Sequence, residues 1–149
     1  MSSPQREKLL FLDMDGVIVD FSYETSARWG DIGFWETLQK TPWADDLVAL
    51  ATSHYFVHVL SSLGGGSESA TGKMRWLNVH FPQLVRGTIL TKKKHLLAQG
   101  ERVLVDDDPE NCMLFRLWDG DTIQVPHPRR FPNPPNTIEE VFKWLVEHS

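Results

Sequence analysis

Asp13 and Asp15 flank Met14 at the end of the apolar run "LLFLDMDGVIVDF", residues 9–21. Two carboxylates this close repel each other unless something positive sits with them. Further along the chain, "LSS" ends in Ser61 and Ser62, "TKKK" carries Lys92, Lys93 and Lys94, and "VLVDDD" ends in Asp106, Asp107 and Asp108. Taken singly, each is an ordinary polar turn, a solvated lysine cluster or a helix cap. Taken together they suggest one kind of chemistry. Three or more carboxylates converging in a low dielectric repel strongly, and a bound divalent cation relieves that repulsion. An all-oxygen donor set favours Mg²⁺ over zinc or copper, and Mg²⁺ commonly bridges protein carboxylates to a substrate phosphate. A lysine and two hydroxyls suit the remaining phosphate oxygens. The pattern reads as a phosphoryl-transfer site.

Such a site needs elements that bring its parts together. "KLLFLDM", "YFVHVLSS" (55–62) and "RVLVDD" (102–107) are short β-rich apolar runs ending in polar residues, as buried parallel strands do. "GTIL" (87–90) and "DTIQV" (121–125) are weaker strands. Helical patterns lie between them. "TPWADDLVALAT" (41–52) has Thr41 placed as an N-cap, and "SESATGKMRWLNVHF" (67–81) becomes helical from about Gly72. "DPENCMLFRLW" (108–118) opens on an Asp-Pro cap, and "NTIEEVFKWLVEH" (136–148) puts Ile138, Val141, Phe142 and Leu145 on one face. Alternating strands and helices predict an α/β fold, a Rossmann-like three-layer sandwich with a mostly parallel central sheet. In such a sheet, ligands bind beyond the carboxyl ends of the strands, where the polar groups above fall.

The chain of 149 residues suits one domain over 1–149, with an aromatic-rich segment at about 21–42 as a small lid. "GGGSESATG" reads as a loop, and "PHPRRFPNPP" (126–135) is too proline-rich for regular structure. A net charge of −5 argues against broad binding to duplex nucleic acid, yet permits recognition of one phosphate by a few lysines. Cys112, the lone cysteine, allows no internal disulfide and fits a reducing compartment. With no signal-peptide pattern and no apolar stretch near the roughly 20 residues of a membrane span, a cytoplasmic location is expected.

"DMDGV", "LSS", Lys94 and "VDDD" resemble the four motifs of the haloacid-dehalogenase (HAD) superfamily of mostly Mg²⁺-dependent phosphatases. "DMDGVIVDF", "KMRWLNVHFP", "ILT" with its following lysine, and "VLVDDDPEN" are similar to the 5'(3')-deoxyribonucleotidases, over residues 8–21 and about 55–112. The resemblance implies that Asp13 is the nucleophile that forms an aspartyl phosphate, and that Asp15 is the acid and base. It implies that Ser61, Ser62 and Lys73 hold phosphate oxygens, and that Lys94 neutralises the nucleophile and the phosphate. Asp13, the Asp15 carbonyl and Asp106 or Asp107 would hold Mg²⁺. Phe21 matches a position where those enzymes stack an aromatic on the base, and Phe34 and Trp35 could extend that platform. The interval between the first two motifs is shorter than in the nucleotidases, so most of the cap is missing.

Of the remaining residues, His54 and His58 read as structural. His127, Arg129 and Arg130 read as solvated loop residues that could meet a second substrate phosphate. Cys112 reads as an inert thiol. The expected function is hydrolysis of nucleoside monophosphates, deoxy forms preferred. A phosphatase of nucleic-acid ends is an alternative that the short lid favours. A catalytically idle binding module is a third reading, against which the pair Asp13 and Asp15 speaks.

Overall fold

Side chains alternate across the first strand, β1 (Leu9–Leu12), and the alternation decides the layering. Leu10 and Leu12 join the larger core cluster, and Phe11 joins a smaller one with Leu60, Leu104 and Phe115. A strand buried on both faces needs helices on both sides. The computed structural model, which describes residues 8–21, 30–64, 66–127 and 129–149, supplies them. After β1 come α1 (Ile32–Trp35), α2 (Ala44–His54), β2 (Phe56–Ser61), α3 (Gly66–His80), β3 (Ile89–Leu90), β4 (Val103–Asp106), α4 (Pro109–Leu117), β5 (Asp121–Gln124) and α5 (Ile138–Glu147). Turns of 3₁₀ helix cover Pro82–Gly87 and Lys94–Leu97.

The five strands pair in the order β3-β2-β1-β4-β5, and every pairing is parallel. The α/β three-layer expectation holds. Helices α2, α3 and α5 contribute Leu47, Trp76, Val141 and Leu145 to the larger cluster, while α4 covers the opposite face with Phe115. Chain order reverses about β1, so its carboxyl end opens a crevice between β2 and β4. The register aligns the three ends. Leu12 pairs with Val59 and with Val105, and the Asp13 amide donates to the Val105 carbonyl at 3.0 Å. Asp13 therefore emerges level with Asp106, and Ser61 one residue further along β2.

Local chemistry sets most helix ends. Asp108 caps α4 by accepting from the Glu110 amide, and Thr137 and Glu140 form a reciprocal capping box on α5. Two starts differ from expectation. Thr41 does not cap α2; its hydroxyl and the Trp43 indole both donate to the Val17 carbonyl at 2.8 Å, and the helix begins at Ala44. Helix α3 starts at Gly66, well before Gly72, because Ser69, Gly72 and Lys73 are buried against the rest of the fold. A polar sequence that looks like a loop is held helical by tertiary contact.

The described part of the expected lid, residues 30–42, holds only the single turn α1, capped by Asp31 and packed on α3. Residues 22–29 of that lid, Gly65 of the glycine loop and Pro128 of the proline-rich segment lie outside the described residues. Among the described residues, no helix is long and apolar enough to cross a membrane.

Candidate active site

Asp13 follows the last residue of β1 and is buried. The carboxylates of Asp13, Asp106 and Asp107 offer oxygens that all lie within 4.8 Å of one another. These are hard oxygen donors grouped closely enough that the cluster could hold a small divalent cation. Gly16 lets the backbone close around it. Its φ is +81°, and a Cβ there would run into the Asp107 carboxylate.

Two lysines enter the cluster from different elements. Lys94, at the start of the 3₁₀ turn after β3, donates to Asp13 at 2.8 Å and to Asp106 at 2.9 Å. Burial disfavours the charge on Lys94, yet Asp106 and Asp13 outweigh it and hold the ammonium above the usual lysine range. Lys73, from α3, is fully buried and donates to the Ser61 hydroxyl at 2.8 Å and the Ser62 carbonyl at 2.6 Å. It also pairs with Asp15 Oδ2 at 3.1 Å. Among the described residues, the other oxygen of that carboxyl, Asp15 Oδ1, is buried and has no hydrogen-bond partner.

The four carboxylates differ in electrostatic setting. Burial and the nearby Asp106 raise Asp13 to about 7, against partial relief from Lys94. Burial and the nearby Asp13 push Asp107 well above the ordinary carboxylate range. Burial also acts on Asp106, but Lys94 and the Asp108 amide at 3.0 Å hold it below that range. Asn111 of α4 adds a donor to Asp106 at 3.1 Å. Asp106 is thus tied down by protein groups. Asp107 instead faces Arg130, whose Nη1 lies 3.5 Å from each of its oxygens. The open side is a crevice of about 240 Å³, lined by Asp13, Asp15, Ser62, Gly64, Lys92, Lys94, Asp108, Asn111 and Arg130.

Solved structures share this architecture. YfnB of Bacillus subtilis, bound to magnesium, superposes with a TM-score of 0.62 at 12% identity over 95% of this chain and 99% of that one. The HAD family enzyme BT-2542 of Bacteroides thetaiotaomicron, as an aspartate-to-alanine mutant in complex with magnesium and inorganic phosphate, gives 0.58 at 12% identity over 80% and 94%. The chain has the HAD-enzyme fold. The HAD domain of the effector Lem4 from Legionella pneumophila matches at 0.52 and 12% identity over 97% and 95%. No protein-family model matches the chain, and no curated protein matches it by sequence.

Within this HAD fold, Asp13, Asp15, Lys73, Lys94, Asp106, Asp107, Ser61 and Ser62 all gather at one end of the sheet. Ser62 faces the crevice, whereas Ser61 and Lys73 are buried behind it, bonded to each other. The expected aromatic platform needs correction. Phe21, Phe34 and Trp35 are core residues, at most 2% exposed, and offer no face to a base. Phe21 stacks on Trp35 at 6.1 Å and 14°, and these rings brace the site's cations from beneath. Lys73 Nζ sits 5.4 Å from the Trp35 ring, and the Arg130 guanidinium 5.6 Å from Phe21.

Arg130 is a second correction, being largely buried in the site where a solvated loop residue was expected. Proline-rich composition conceals it, since nothing local marks which arginine turns inward. Arg129 does stay exposed, paired with Asp20 at 3.1 Å. Lys92 and Asn111 also reach the crevice. Asn111 had a readable signal, because it stands one helical turn after the capping Asp108. His58 is structural, its Nδ1 bonded to the Gly87 carbonyl at 2.9 Å.

Proposed function

We propose that this chain is a Mg²⁺-dependent phosphomonoesterase that works through an aspartyl phosphate on Asp13. The observation that carries the reading is the three-carboxylate cluster neutralised by Lys94, with the unpartnered Asp15 Oδ1 beside it. Asp13, Asp107 and the Asp15 carbonyl are the groups that would hold the ion, with Asp106 positioned by Lys94 and Asn111. When bound, Mg²⁺ supplies positive charge to the transferring phosphoryl group.

The chain's own residues account for the rest. Lys94 fixes the Asp13 carboxylate, aligning one oxygen on phosphorus, and the P–O bond to the leaving alkoxide breaks as the Asp13–phosphorus bond forms. Asp15, through Oδ1, is the group placed to give a proton to that alkoxide. Asp15 then takes a proton from the water that hydrolyses the acyl phosphate, which restores both residues and releases phosphate. Ser62 and Lys92 hold phosphate oxygens at the mouth of the crevice. Lys73 keeps Asp15 and Ser61 in place.

Nucleoside monophosphates remain the first substrates to try, on the strength of the deoxyribonucleotidase-like motifs. The burial of Phe21, Phe34 and Trp35 removes the base platform that would favour them. The single-turn α1, the only described helix between β1 and α2, favours the second reading, a phosphatase of exposed nucleic-acid ends. One domain and a reducing compartment, which suits the buried Cys112 thiol, complete the proposal.

The test is phosphate release from deoxy- and ribonucleoside monophosphates, 3'-phosphorylated oligonucleotides and sugar phosphates. Mg²⁺ should be required and EDTA should abolish release. Asp13→Asn should lower kcat by roughly 10⁴-fold with an unchanged far-UV spectrum. A folded Asp13→Asn protein with full activity would show that the nucleophile lies elsewhere.

A further inference from the structure

Among the cations of the site, Arg130 has the most unusual position. Its Nη1 donates to the Asp15 carbonyl at 2.8 Å and stands 3.5 Å from both oxygens of Asp107. Those are the oxygens that a divalent ion would take. An Mg²⁺ ion binds oxygen at about 2.1 Å and accepts no crowding within its octahedron. An ion bridging the Asp15 carbonyl and Asp107 and a guanidinium nitrogen bonded to the same atoms would claim one space. Their charges repel as well.

Lys94 and Lys73 cannot yield in its place. Lys94 is locked between Asp13 and Asp106, and Lys73 is buried in α3 on Ser61, Ser62 and Asp15. Arg130 comes instead from an irregular segment, bent by bonds from the Arg130 and Phe131 amides to the His127 carbonyl. Its guanidinium rests between the rings of Phe21 and Phe131, at 5.6 and 5.2 Å. A side chain on such a segment can swing without moving a strand or helix.

We propose that Arg130 is a tethered counter-cation for the metal-free site: it occupies the divalent ion's ligand set and must leave before the ion binds. Arg130 therefore sets the metal affinity. It keeps four neighbouring acids tolerable without an ion, and it weakens ion binding in proportion to how often it is seated. This rests on the divalent-ion reading above.

The experiment is calorimetric titration of MgCl₂ into the metal-stripped full chain, for wild type, Arg130→Met and Arg130→Lys. A seat filled nine-tenths of the time would make Arg130→Met bind Mg²⁺ about tenfold more tightly than wild type. Arg130→Lys, which keeps the charge but loses the planar fork, should fall between them. The metal-free Arg130→Met protein should melt below wild type, with the gap closing at saturating Mg²⁺. Wild type supplies an independent measurement: Mg²⁺ should speed amide exchange across residues 129–135 as the segment is released. Equal affinities in folded variants, or a segment whose exchange ignores Mg²⁺, would overturn the proposal while leaving the metal reading intact. Absence of Mg²⁺ binding by wild type and variants alike would remove both.

Discussion

Asp13 is the residue at which charge, burial and catalysis conflict most directly. Its carboxyl is raised to about 7 by burial and by Asp106, against a value of 3.8 in an unfolded chain. Between those two values the folded, metal-free protein holds a proton that the unfolded chain has lost. This contribution to metal-free stability is present below pH 4 and is lost as pH rises through about 7. A cation needs the carboxylate, so its affinity runs the opposite way. Mg²⁺ binding should strengthen at least about fivefold from pH 6 to pH 7 from Asp13 alone, with the raised Asp107 adding to the slope, and should go on strengthening to pH 8, read by titration at each pH. A profile flat across that range would mean that Asp13 is already ionised.

Helix α3 supplies Lys73, and its position depends on one glycine. A Cβ at Gly72 would collide with the Trp35 indole, which is wholly buried and stacked on Phe21. In an exposed helix, Gly→Ala gains about 1 kcal/mol. Overpacking a core contact costs about 1–3 kcal/mol. The second effect should win here, so Gly72→Ala should lower stability by on the order of 1 kcal/mol in urea unfolding. It should also disturb Lys73 on its ring and slow turnover. A more stable variant would show that the indole yields freely. The element's composition explains why its beginning is hidden in the sequence. Ser67, Glu68 and Ser69 read as loop; Ser67 and Glu68 stay exposed, and it is the burial of Ser69, with Gly72 and Lys73 after it, that seats this first turn on the fold.

At the scale of the whole molecule, the site sits where the sheet changes direction, so opening it means disrupting the core. Cys112 reports on that event. It is buried in α4, with Sγ 3.8 Å from the Asp106 carbonyl, and burial with the nearby Asp106 raises its thiol to about 12. Iodoacetamide should leave the native protein unmodified and label Cys112 once it unfolds. Mg²⁺ at a hundredfold its Kd adds about 2.7 kcal/mol, so labelling through global opening should slow about 100-fold. Rapid labelling of the native, metal-loaded chain would mean that α4 opens without the rest.

Local periodicity and spacing were enough to read the parallel α/β sheet from the amino acids, because buried strands and capped helices carry their signals within a few residues. They also pointed to the acids after β1 and β4, since a strand's end determines where its next side chain emerges, whereas the choice of Lys94 among three consecutive lysines rested on the resemblance to the HAD motifs. Contacts between distant segments required the tertiary structure. Arg130 reaches Asp15 across 115 positions, and no local pattern distinguishes it from its solvated neighbour Arg129. The same holds for the ring pair Phe21 and Trp35: aromatic residues near a site look alike in sequence whether they face a ligand or the core. Packing put them beneath the cations, and the structure thereby assigned them support of charged side chains in place of recognition of a base.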